Sequence, residues 1–121
     1  MPSIPILEDG SVGRPFVGRA NCTVADTDTT VYTASDSDQS TTNRTCYVDG
    51  FVIHHRGSAA TTVSIYDGAA GDLIFTVTVA ATANLLIPNL EGMPFVRGAI
   101  VAQTSSVTTS GTSVTAYGRE I

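Results

Sequence analysis

Between Thr61 and Val79 apolar and polar residues alternate with a period of two, interrupted once by Asp67-Gly68-Ala69-Ala70-Gly71-Asp72. Only an extended strand places residues i, i+2 and i+4 on one face, so this stretch commits the chain to β-structure. In Thr61 to Tyr66, Val63 and Ile65 point one way while Thr62, Ser64 and Tyr66 point the other. In Leu73 to Val79, Leu73, Phe75, Val77 and Val79 oppose Ile74, Thr76 and Thr78. The small and φ-permissive residues between the runs are those of a hairpin loop, which makes the two strands antiparallel neighbours.

Weaker versions of the pattern predict further strands over Thr29 to Ala34, Thr45 to Arg56, Asn84 to Ile87, Ala99 to Gln103 and Ser113 to Gly118. Gly50, following Asp49, marks a bulge in the longest of them. Polar, Gly- and Pro-containing breaks separate the runs, and no stretch shows helical spacing with caps. The fold expected is therefore all-β: a single, jelly-roll-like β-sandwich of about seven to eight antiparallel strands. Residues 1 to 19 carry Pro2, Pro5, Pro15, Gly10, Gly13 and Gly18 and are read as an extended N-terminal arm, leaving residues 20 to 121 as the sandwich domain.

The remaining composition narrows the function. Of the 121 residues six are arginines and none is lysine, against 11 acids, for a net charge of −5. The arginines are scattered, which excludes the clustered cations of a nucleic-acid footprint. No apolar run is long enough to cross a bilayer as a helix, and Met1 to Gly10 has two prolines, two acids and no arginine, unlike a secretory signal. Cytoplasmic synthesis is expected, with Cys22 and Cys46 as reduced, half-buried thiols.

No catalytic, cofactor or metal site is expected. Asp26, Asp28, Asp36 and Asp38 form two D-x-D pairs whose carboxylates could face calcium, but the glycine and distal Glu of an EF-hand are missing, so they are read as solvated turns. His54 and His55 are adjacent in a strand and leave on opposite faces, one outward and one partly buried. No nucleophile elbow is present, and without tryptophan there is no usual sugar platform. Asp49, Asp67 and Glu91 do not define a carboxylate pair from sequence alone.

The segment Phe51 to Gly98 reads FVIHHRGSAATTVSIYDGAAGDLIFTVTVAATANLLIPNLEGMPFVRG. Its strand, small-residue linker, Ile65-Tyr66-Asp67-Gly68 turn, apolar strand and Glu91-Gly92-Met93-Pro94-Phe95 turn resemble small β-sandwich proteins encoded among phage virion genes. The resemblance implies a capsid decoration (cement) protein or head-fibre component, often a homotrimer, bound to the major capsid protein on the virion surface. The alternative it admits is a tail fibre, spike or baseplate module for host recognition. On the cement reading Ile4, Ile6, Leu7, Arg14, Phe16 and Arg19 are the expected contacts, since aromatic and arginine side chains are enriched where interfaces bury surface.

Overall fold

The computed structural model describes residues 14–34, 45–105 and 111–121. Nine strands follow in chain order: β1 (Arg14–Cys22), β2 (Thr29–Thr33), β3 (Cys46–His55), β4 (Thr61–Asp67), β5 (Asp72–Val79), β6 (Asn84–Ile87), β7 (Met93–Phe95), β8 (Ala99–Thr104) and β9 (Thr112–Glu120). No helix occurs among the described residues.

Two antiparallel sheets result. Sheet I has the order β1-β9-β3-β6, with β7 also paired to β3, and sheet II has the order β2-β8-β4-β5. β6 meets Phe51–His54 and β7 meets Cys46–Val48, so the two short strands share one edge of β3 as a single broken strand. Counted that way, the eight strands interleave between the sheets in the double Greek-key order of a jelly roll.

The core lies between the sheets. Phe51, Ile53, Val48 and Val114 from sheet I face Val63, Ile65 and Ile100 from sheet II, all fully buried. Phe51 packs edge-on to Phe75 at 5.5 Å and to Phe95 at 6.3 Å, tying β3 to β5 and to the end of β7. Phe95, at the end of the Glu91-Gly92-Met93-Pro94-Phe95 turn, is thus fully buried in the core.

Two bulges correct the parity of the alternation. In β3, Val48 pairs with Gly118 and Gly50 with Tyr117, leaving Asp49 as the extra residue. The bulge lets Val48 and Phe51 both face inward although three positions separate them. In β5, Ile65 pairs with Phe75 and Tyr66 with Leu73, so Ile74 is extra. Leu73 therefore does not share a face with Phe75, Val77 and Val79 as simple alternation implies. It stands beside Tyr66 on the outside, 55% exposed.

The arm is shorter than its prolines and glycines suggest. Arg14 to Cys22 pairs residue for residue with Glu120 to Thr112 of β9, so residues 14 to 19 belong to the sandwich. Pro15 is tolerated because β1 is an edge strand, where a missing N–H need not break a ladder. Gly18 is required by close approach: a Cβ there would lie 2.4 Å from Tyr32 Cβ and 2.5 Å from the Val31 carbonyl oxygen. Through that contact β1 abuts β2 and closes one side of the sandwich.

Candidate interaction surface

The register of sheet I builds its outer face in four rows. Pro15, Arg119, Tyr47 and Pro94 form the first, and Val17, Tyr117 and Gly50 the second. Arg19, Thr115, Val52 and Leu86 form the third, and Asn21, Ser113, His54 and Asn84 the fourth. Alternation dictates this face: in each strand these residues lie between the inward ones. Val17, Leu86 and Val52 are nevertheless apolar and open to solvent, at 72%, 62% and 37% exposure. Gly50 keeps the second row flat, since a Cβ there would meet the Tyr117 hydroxyl at 2.3 Å.

Charge is sorted across the sandwich. Sheet I strands hold Arg14, Arg19 and Arg119, and Arg56 folds over the fourth row, donating from Nη1 to Asn21 Oδ1 at 3.2 Å and from Nη2 to Ser113 Oγ at 2.9 Å. The only carboxylates in those strands are Asp49, in the bulge, and Glu120, which is turned inward and buried. Sheet II strands hold no arginine and carry Asp67 and Asp72, with Asp26 and Asp28 in the approach to β2; one arginine, Arg97, lies on this side, packed over Gly68 in the β4–β5 turn. A chain that is acidic overall therefore presents one face of tyrosine, arginine and aliphatic side chains, the types enriched at protein interfaces.

The expected contact residues divide three ways. Arg19 stands in the third row of this face. Arg14 lies 3.7 Å from the Glu120 carboxylate at the end of the sheet. Phe16 is a correction: it is 6% exposed and stacks on Tyr32 at 4.3 Å, because its place in β1 points it into the sandwich. It packs the protein's own core and is no contact residue. Ile4, Ile6 and Leu7 lie outside the described residues.

The other singled-out groups have structural partners. His55 is buried, with Nε2 donating to the Ala59 carbonyl and Nδ1 facing the Thr112 hydroxyl, both at 2.7 Å. The carbonyl can only accept, which fixes the proton on Nε2. His54 points outward and bonds Asn84. The Asp67 carboxylate accepts the amides of Val96 at 3.2 Å and Arg97 at 3.0 Å, binding the end of β4 to the turn before β8. Asp28 accepts from Gln103 Nε2 and from the Ala70 amide. Asp36 and Asp38 lie outside the described residues. Among the described residues no group of three or more His, Cys, Asp or Glu could hold a metal ion.

Cys22 and Cys46 are free thiols and fully buried, deeper than the half-burial expected. Burial pushes both upward, Cys46 to about 12 with the Glu120 and Asp67 charges adding to it. Neither is a ready nucleophile.

The sequence reading passed over Tyr47, Tyr117, Val17, Val52 and Leu86. The available signal was an apolar residue at an outward position, as in Val52 between Phe51 and Ile53. Only cross-strand register gathers these residues into one patch.

No family model matches the chain, and no curated protein matches it. Among solved structures it is similar to a protein of the Bacillus endospore appendages, described as forming a novel family of disulfide-linked pili. The two share 15% sequence identity and a TM-score of 0.47, with 98% of each chain covered.

Proposed function

We propose that this chain is a capsid decoration (cement) protein of a tailed phage, a structural module that seats the outer face of sheet I on the major capsid protein. The observation that carries the reading is that face itself: Val17, Val52 and Leu86 exposed beside the half-buried Tyr47 and Tyr117, with Arg19 and Arg119 in the same rows. Support also comes from the jelly-roll topology, an architecture that recurs in viral capsid domains, and from the resemblance of Phe51 to Gly98 to phage virion proteins.

The size of the patch sets how it would work. Four strands about 4.8 Å apart and rows spanning about 20 Å give roughly 300 Å² of flat face, well under the roughly 800 Å² per partner of a standard interface. A single contact is weak, and a homo-oligomer holds the shell by engaging several capsid subunits at once.

Sedimentation with undecorated capsids tests the reading. The wild-type protein pellets with shells at a fixed ratio, and Leu86→Asp or Tyr117→Ala, both at outward positions, folds normally but stays in the supernatant. Wild-type protein that ignores capsids overturns it, and binding to host cells or their glycans instead would assign the chain to a fibre, spike or baseplate.

A further inference from the structure

A two-sheet sandwich has four outer edges, and three of them here are covered or blunted. β1 and β2 abut through Gly18 and the Phe16–Tyr32 stack. β6 has four residues and runs into Pro88, and β7 has three and contains Pro94. Short length and proline are the usual guards against edge-to-edge pairing.

β5 has no such guard beyond its first turn. It runs eight residues, contains no proline, lysine or arginine, and its single charge is Asp72 at the first position. Among the described residues no strand pairs with its outer edge. Phe75 and Val77 face inward yet stay only partly buried, and among the described residues no strand lies beyond them at this side of the sandwich. The bulge at Ile74 twists the start of the strand away and leaves Phe75 to Val79 as the regular segment.

We infer that β5 pairs antiparallel with β5 of a second copy around a two-fold axis at Val77. The segment Phe75-Thr76-Val77-Thr78-Val79 is complementary to itself about its centre. In that register Thr76 stands opposite the partner's Thr78 on the outer face, and Phe75 opposite the partner's Val79 on the inner face. Both are pair types that stabilise antiparallel strands, threonine with threonine and aromatic with β-branched, and the two-fold makes each occur twice. A slip of one residue would turn threonines against the core side, so the inward apolar set fixes the register. The product is an eight-stranded sheet running through two sandwiches, with Phe75 and Val77 covered. The contact does not depend on capsid binding.

The test is the solution mass of the full chain by light scattering, with two variants at exposed positions of β5. Thr76→Lys with Thr78→Lys places four ammonium groups around the axis and yields a monomer whose circular dichroism and thermal unfolding remain those of a folded sandwich. Thr76→Lys with Thr78→Glu sets opposite charges across the same axis and restores the dimer. A monomeric wild type overturns the inference, as does a trimer whose mass the double lysine variant leaves unchanged, or a charge-swapped variant that stays monomeric.

Discussion

Tyr32 Oη donates a hydrogen bond to Glu120 Oε2 at 3.1 Å, joining β2 of one sheet to β9 of the other. Glu120 is 5% exposed and also has Arg14 beside it, so this bond helps keep a carboxylate inside the sandwich. Replacing Tyr32 by Phe leaves Glu120 with one donor fewer and is expected to cost about 1 to 2 kcal/mol, read from the denaturant midpoint. An unchanged midpoint would show the bond to be dispensable.

The same corner predicts alkaline sensitivity. Burial first, then the Glu120 hydrogen bond and charge, push the Tyr32 phenol from 10.0 up to about 12, and Cys46 rises from 9.0 to about 12. Both groups are neutral when protonated, so the unfolded chain releases these protons at lower pH than the folded one. Their contribution to stability is whole below about pH 9 and is lost as pH rises through 12. Denaturant midpoints measured across that window should fall steadily, with the fall shallower in Tyr32→Phe. A flat profile in the wild type would refute the assignment.

The two thiols cannot reach each other in the folded chain. Cys22 stands opposite Thr112 and Cys46 opposite Glu120, eight steps apart along β9. At about 3.3 Å per residue that is roughly 26 Å, against the roughly 7 Å limit between Cα atoms for a disulfide. Mild oxidation should leave both thiols free, and a thiol reagent should react with them only at the rate at which the protein opens. A fast-migrating, reducible monomer on a non-reducing gel would contradict this.

The adjacent histidines should behave oppositely. His55→Leu strips the partner from the Ala59 carbonyl and from the Thr112 hydroxyl, and is expected to cost about 2 to 4 kcal/mol. His54→Ala, on the exposed face, should fall within about 0.5 kcal/mol of wild type. Equal losses for the two would mean that His55 is not the anchor of the β3–β4 loop.

Gly18→Ala probes the closed side of the sandwich. The added methyl group meets backbone at 2.5 Å, so β1 and β2 must separate, at about 1 to 3 kcal/mol. Hydrogen exchange should speed up along β1 and β2 and stay unchanged in β4 and β5. Unchanged exchange in β1 would mean that the contact with β2 does not hold it.

Alternation determined the parts of this protein that are local. The hairpin from Thr61 to Val79, its loop, the bulge at Gly50 and the opposite directions of His54 and His55 could all be read from residues a few positions apart, because side-chain direction along a strand follows from backbone geometry alone; which histidine faces inward came from the structure. Tertiary structure decided the rest. Local breakers argued against a strand at Pro15 and Gly18, but a full-length ladder with β9, at the far end of the chain, outweighs them and turns Phe16 from an expected contact into core. Alternation says which residues share a face of one strand, not which strands lie side by side. The outer patch of sheet I and the unguarded edge at β5 exist only once long-range pairing has chosen the neighbours.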